Sequence, residues 1–343
     1  MKTGIIGLPQ AGKRTLFTLL TGRVVSETRR AEESLDGVAP VRDPRVDVLA
    51  EICRPERKIY AENQFTLCPD VAVSGTSRHW VEAARRCDLL CLVVRAFQSD
   101  QVFHPQGSVD PARDRAHLAS ELIFADMELV ERRLERLARE AKAGKQRDQE
   151  IQERALARCL TALEQETPLA GVELDGEERE AVRPLNLLTF KPVLWTYNVS
   201  EEDLLRDFGP ESFTVSAQIE AEISEIDDPV ERQAFLDSMG LEHSGLDRMN
   251  AAAYDALGLM SFYTIGKDEV RAWTVRKGAT APQAGGKVHS DIEHGFIRVE
   301  IIRYDDLVSA GSEKAVRAQG KLAVKGRDYV IEDGAICNFL FSR

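Results

Sequence analysis

The segment that most constrains this chain is Gly7-Leu8-Pro9-Gln10-Ala11-Gly12-Lys13-Arg14-Thr15. It leaves the apolar pair Ile5-Ile6 and enters an amphipathic run, the strand-to-helix context in which a Gly-x4-Gly-Lys string cradles phosphate. The glycines let backbone N–H groups turn inward around phosphate oxygens, and the helix N-terminus adds a favourable dipole. Lys13 brings a point charge to the β and γ phosphates. Gly7, Pro9, Gln10, Ala11, Gly12, Lys13, Arg14 and Thr15 are therefore the candidate phosphate-contacting residues. Such a loop belongs to an α/β layer, and the rest of the chain reads accordingly. Leu89-Leu90-Cys91-Leu92-Val93-Val94 and Pro192-Val193-Leu194-Trp195-Thr196-Tyr197 are nearly continuous apolar runs, as in strands buried on both faces of a parallel sheet. Phe213-Thr214-Val215 is a further strand, and amphipathic helical segments lie between, which predicts a doubly wound α/β fold.

One residue departs from the rule of the loop. After the lysine a Ser or Thr ordinarily places its hydroxyl on Mg²⁺, and here Arg14 stands there. Thr15 does not simply substitute, because one step along a helix is about 100° around its axis. A guanidinium beside a triphosphate can replace part of a metal's charge but cannot coordinate a cation. Arg14 either faces the phosphates or points to solvent as an ordinary helix residue.

Two segments interrupt the α/β rhythm. From about 125 to 183 the chain is charged and helix-rich. Met127, Val130, Leu134, Leu137 and Ala141 step by three and four, as do Leu156, Leu160 and Leu163. With Ala143-Gly144-Lys145-Gln146 as a turn between them, this predicts an antiparallel helical hairpin with a heptad-like seam. After about Leu259, the runs 270–275, 296–302, 329–331 and 336–341 read as strands of a small mixed sheet with one or two helices.

Composition sets the outer bounds. A chain of 343 residues suggests two or three domains at roughly 100–200 residues each. Its formal charge of −12 argues against bulk nucleic-acid coating, though not against a local basic patch, and sequence-specific DNA reading is not expected. No apolar run approaches the roughly 18–20 residues that a membrane span needs. Met1-Lys2-Thr3-Gly4 offers a glycine-punctuated strand where a signal peptide would carry a longer apolar region. Six cysteines fall at no metal-type spacing, so they read as small buried thiols of a reduced, cytoplasmic protein.

Three further groups of residues point to a family. Val93-Val94-Arg95-Ala96-Phe97 leads through His104 to Gly107-Ser108-Val109-Asp110-Pro111-Ala112-Arg113-Asp114 and Glu121-Leu122-Ile123-Phe124-Ala125-Asp126. Lys191-Pro192-Val193-Leu194-Trp195-Thr196-Tyr197-Asn198-Val199-Ser200-Glu201 follows the helical segment. Near the end stand Glu269-Val270-Arg271-Ala272-Trp273-Thr274, Gly278-Ala279-Thr280-Ala281-Pro282-Gln283-Ala284-Gly285-Gly286 and His289-Ser290-Asp291-Ile292-Glu293-His294-Gly295-Phe296. Together with the phosphate loop, these resemble the YchF / Obg-like ATPase subfamily of the translation-factor-related P-loop NTPases, from the first strand to the last.

The resemblance implies a Ras-like nucleotide domain over 1–125 and 186–258, a helical coiled-coil arm over 126–185 and a ubiquitin-like (β-grasp) TGS domain over 259–343. It implies ATP or GTP as ligand, with ATP bound as well as or better than GTP, and the ribosome or another RNA–protein assembly as partner. The arm tip (Lys142, Lys145, Arg147) and the TGS sheet are the expected partner surface. Asn198, Val199 and Glu201 match the family's Asn-x-x-Glu base-reading string, and Ser216-Ala217 matches the turn that closes over the base. An aspartate in register pairs with both guanine N–H donors, whereas the longer Glu201 and the missing lysine disturb that geometry. His104 matches the family's catalytic histidine, in place of the glutamine that orients water in many GTPases. Asp70 matches the residue that holds the metal through water.

Other parts of the family pattern are altered here. Where the switch threonine is expected the chain reads Arg29-Arg30-Ala31-Glu32-Glu33-Ser34-Leu35-Asp36-Gly37, with Thr28 the nearest candidate. The Asp-x-x-Gly segment reads Asp70-Val71-Ala72-Val73, and the glycine-rich stretch beyond is shortened to Ser74-Gly75-Thr76-Ser77-Arg78. With Arg14, three parts that handle Mg²⁺ and the γ-phosphate are changed together. This places Mg²⁺ in question and predicts a divergent member that binds nucleotide with weak or absent turnover. The competing expectations are a working ribosome-linked NTPase and a nucleotide-sensing scaffold.

Overall fold

The computed structural model describes residues 1–26, 32–73, 78–141, 146–209 and 212–342. The first half of the chain runs β1 (Lys2–Gly7), α1 (Lys13–Thr21), β2 (Leu35–Val41), α2 (Pro44–Cys53), β3 (Arg57–Ile59), β4 (Ala61–Leu67), α3 (His79–Arg85), β5 (Leu89–Ala96), α4 (Pro111–Glu140) and α5 (Arg147–Glu164). There follow α6 (Gly176–Val182), β6 (Val193–Val199), β7 (Ser212–Val215), α7 (Ala217–Glu225), α8 (Pro229–Ser238) and α9 (Gly245–Ala256). The remainder is β8 (Leu259–Ile265), β9 (Glu269–Arg276), α10 (Ala281–Val288), α11 (Ser290–His294), β10 (Phe296–Ile302), α12 (Tyr304–Ala310), α13 (Glu313–Ala318), β11 (Ala323–Lys325) and β12 (Ile336–Phe341). Asp-Pro pairs start three of these helices. Asp43, Asp110 and Asp228 accept a backbone N–H as N-caps, and the proline that follows sits where no N–H is needed.

The chain forms two compact units, Met1–Val38 with Gln64–Met249 and Ala39–Asn63 with Asn250–Arg343. The second takes in 39–63, which the sequence reading placed in the nucleotide domain. One sheet has the order β2-β4-β1-β5-β6-β7, with β1 parallel to β4 and β5, β5 parallel to β6, and β6 parallel to β7. All four strand runs read from the sequence for this layer fall in it. Leu89, Leu90, Cys91, Leu92 and Val93 are fully buried, as a central parallel strand covered on both faces requires. Trp80, Leu118, Leu122, Tyr197 and Ile219 pack against that strand's neighbours. The chain leaves β1 through α1 to β2 on one side of it, returns through β4, and then crosses to β5 on the other side. The carboxyl end of β1 therefore lies at a topological switch point, where open α/β sheets bind ligands.

The helical insertion is built as its periodicity predicts. Val130 and Leu137 of α4 pack with Leu156, Cys159 and Leu163 of α5, with Met127, Leu134 and Leu160 half-buried beside them. The turn residues 142–145, Lys142 and Lys145 among them, lie outside the described residues. Asp126, fully buried, anchors the root of α4. It accepts the N–H groups of Leu188 and Thr189 at 2.9 and 2.8 Å and the Thr189 hydroxyl at 2.8 Å. Lys191 donates to the carbonyls of Ala84, Arg85 and Cys87, closing the C-terminal end of α3.

The second sheet has the order β11-β10-β12-β8-β9-β3, mixed as expected. β12 and β8 are parallel, as are β3 and β9, and the other pairs are antiparallel. Phe262, Phe296 and Phe339 form its aromatic core, with Phe262 edge-on to Phe339 at 5.8 Å. Residues 329–331 do not make the strand read from their sequence; Val330 forms only an isolated bridge to Thr280, because Gly326 and Gly334 bracket the run with turns. Four short helices, α10 to α13, replace the one or two expected. Within this unit Asp43 accepts from Arg45 and from the buried Tyr263 hydroxyl, and Arg45 reaches Asp333 at 2.7 Å. That network fastens the start of α2 to the sheet.

Among the described residues no helix is long and apolar enough to cross a membrane, and no group of three His, Cys, Asp or Glu side chains could hold a metal. The six cysteines are free, and all but Cys53 are buried.

Candidate functional site: the loop after the first strand

β1 ends at Gly7 and the loop returns at Gly12, each glycine for a steric reason. A Cβ on Gly7 would run into the carbonyl oxygen of Val93 on the neighbouring strand. Gly12 has φ of 89°, and a Cβ there would run into the side-chain amide of Asn198. Gln10 takes a left-handed φ of 61° at the tip. Pro9 is half-buried and Gln10 exposed.

Asn198 closes the loop from the other side. Its Nδ2 donates to the Ala11 carbonyl at 3.1 Å, and its Oδ1 accepts the Ala217 N–H at 2.9 Å. One buried amide thus joins the phosphate loop, the end of β6 and the start of α7. Ser216 caps α7 through its hydroxyl, and Val199 is buried behind Asn198. Glu201 opens a short helical turn and is exposed, lining an open cleft with Leu204, Leu205 and Met239. Its side chain makes no hydrogen bond to the Asn198 cluster.

Lys13 is buried, and its Nζ donates to the Leu8 carbonyl at 2.6 Å and lies 2.8 Å from Asp70 Oδ1. Burial holds its pKa below the ordinary value; Asp70 works against that, and the nearby charge of Arg14 reinforces it. Asp70 is placed by an extension of the β4–β1 pairing, in which Cys68 N–H meets Ile5 O and Val71 N–H meets Gly7 O. Ala72 O accepts from His117 at 3.1 Å, and Val73 packs on the core of the sheet. The segment that carries Asp70 is therefore held at three consecutive residues. Arg14 and Thr15 are exposed on the first turn of α1.

His104 lies on the segment between β5 and α4. It is buried, with Nε2 2.8 Å from Asp114 Oδ2 and Nδ1 accepting the Gln106 N–H at 3.2 Å. With Nδ1 as acceptor, the proton sits on Nε2 and is donated to Asp114. Arg113 holds the other oxygen of Asp114 at 2.9 Å. Both ring nitrogens are engaged within this cluster, and none of these contacts reaches the phosphate loop. Arg95, at the end of β5, donates to the carbonyls of Phe97 and Val102 and so braces the same loop. The sequence reading carried Arg95 and Asp114 only inside its family strings, with no role assigned, and did not single out His117, whose contact with Ala72 holds the segment after Asp70. Thr28, Arg29, Arg30 and residues 74–77 lie outside the described residues.

A sheet with five parallel strands and a Gly-x4-Gly-Lys loop at its switch point, closed by an asparagine from β6, defines a P-loop nucleotide-binding protein. The chain belongs to the YchF family. It is 37% identical over 364 residues to the ribosome-binding ATPase YchF of Escherichia coli O157:H7, covering 99% of each chain. It is 36% identical to the protein of the same name from Bacillus subtilis strain 168, over 100% of this chain and 99% of that one. The solved structure titled as the Schizosaccharomyces pombe YchF GTPase matches with a TM-score of 0.84 at 30% identity, over 99% of this chain and 97% of that one. Residues 259–342 match the YchF GTPase C-terminal family, described as a protein of unknown function (DUF933).

Proposed function

We propose that this chain is a cytoplasmic, ribosome-associated nucleotide-binding protein. In this reading the phosphates of ATP or GTP seat on the loop from Gly7 to Thr15, and the base lies against Asn198, Val199, Glu201, Ser216 and Ala217. The observation that carries it is the Asn198 side chain, which joins the loop to the Ala217 turn through two hydrogen bonds. Side chains fixed in this way keep the ordering cost of binding low. ATP is favoured over GTP because Glu201 replaces the aspartate that pairs with both guanine N–H donors. The relatives' names supply the ribosome. The helical arm over 126–185 and a TGS-type C-terminal region are its contact parts.

The chain's residues fit a resident Mg²⁺ poorly. Arg14 stands where a hydroxyl ligand is needed, and the Asp70 carboxylate is paired with Lys13. This favours a second reading, a nucleotide sensor with weak or absent turnover. It is supported by His104, whose two ring nitrogens are engaged, and by the fastened segment 70–73. Calorimetric titration with ATP and GTP, a turnover assay on the same sample, and co-sedimentation with ribosomes test both. Binding with ATP preferred and ribosome pelleting supports the first statement. Absence of nucleotide binding overturns it, and steady turnover at the rate of a working NTPase overturns the sensor reading.

A further inference from the structure

The first turn of α1 carries two adjacent cations, and only one of them is spent. Lys13 is buried against the Leu8 carbonyl and Asp70. Arg14 is exposed and makes no hydrogen bond or ion pair among the described residues. Arg14 follows Lys13 directly on that turn, so the two cations stand at the same end of the helix, next to the loop. A guanidinium is permanently cationic, presents a fork of donors that matches phosphate oxygens, and cannot ligate a metal. The helix dipole at the same turn favours an anion.

We infer that Arg14 takes over the charge-neutralising role of a divalent cation in this loop, so that the chain binds nucleoside polyphosphates without metal. The inference rests on the nucleotide-binding reading above. Asp70 follows from it: with no metal to serve, its carboxylate is free to act as the counter-ion of Lys13, 2.8 Å away. The change at 14 and the pairing at 70 are then two sides of one rearrangement.

The test is calorimetric titration of the full chain with ATP, in excess EDTA and in excess Mg²⁺, for the wild type, Arg14→Ser and Arg14→Lys. Position 14 is exposed, and melting curves confirm that the variants fold. Wild-type affinity is expected to differ by less than about threefold between the two buffers. Charge-assisted contacts are strong enough that Arg14→Ser should lose roughly tenfold or more in EDTA. Mg²⁺ should recover that loss, because the serine restores a metal ligand. Arg14→Lys keeps the charge and should retain most of the EDTA affinity. A wild type that loses about tenfold or more in EDTA overturns the inference, as does Arg14→Ser binding like wild type there. Arg14→Lys falling as far as Arg14→Ser would overturn it too. Strong Mg²⁺-dependent binding sinks only this inference, whereas no binding in either buffer sinks the nucleotide reading with it.

Discussion

The two ends of the phosphate loop are held in different ways. At the Asn198 end a single neutral amide spans Ala11 and Ala217, and no charge takes part. At the Asp70 end the loop's lysine is bound to a carboxylate, and the three residues after Asp70 are fixed by Gly7, His117 and the core. In the proposed reading the first arrangement serves binding and needs no movement. The second then lies where a nucleotide switch has to move, and here it is fastened, with Val73 where the family string carries glycine. That reading separates binding from response within one site, because different side chains would carry them.

The largest effect is expected at the neutral end. Asn198→Ala leaves the Ala11 carbonyl and the Ala217 N–H without partners, and a buried unpaired polar group costs about 1–3 kcal/mol. Chemical denaturation should show a loss of about 3 kcal/mol, with nucleotide binding lost in the same variant. A loss below about 1 kcal/mol would show that some other contact ties the loop to α7.

A smaller effect probes the fastened end. Val73→Gly removes a half-buried side chain and adds backbone freedom, together about 1–2 kcal/mol. The more telling readout is amide hydrogen exchange over 70–73, which should speed up in the variant while exchange around Ala217 stays as it was. Equal exchange rates over 70–73 in the two proteins would mean that Val73 does not hold the segment.

How much of this was legible depended on where the determining partner lay. β5 and β6 announced themselves as apolar runs because parallel central strands are buried on both faces. β2 and β4 did not. Leu35–Val41 contains Gly37 and Pro40, and Ala61–Leu67 carries Glu62, Asn63 and Gln64. Asn63 is buried in β4 only because Asn250, 187 residues away, accepts its amide at 2.6 Å. β3 has three residues and owes its place to β9, so no local pattern reveals it. In the site the glycines, Lys13 and Asn198 were readable, since their chemistry is local and their spacing fixed. The engagement of His104 was not, because it takes Asp114 and a buried setting to make it.

The smallest effect separates the two ends by titration. Lys13 has a pKa below the ordinary lysine value of 10.5, chiefly through burial. Between the lowered value and 10.5 the unfolded chain binds more protons at this position than the folded one. Stability contributed by Lys13 therefore rises with pH through that window, by at most about 1.4 kcal/mol per pH unit. Below the window both states are protonated and the contribution is constant. Asn198 carries no titrating group. The stability difference between wild type and Lys13→Met should thus vary with pH as the alkaline window is crossed, while the difference between wild type and Asn198→Ala should stay flat. Urea denaturation of the three proteins at a series of alkaline pH values measures both. A flat Lys13→Met difference would mean that Asp70 offsets the burial of the ammonium in full. The charged end would then be as indifferent to pH as the neutral one.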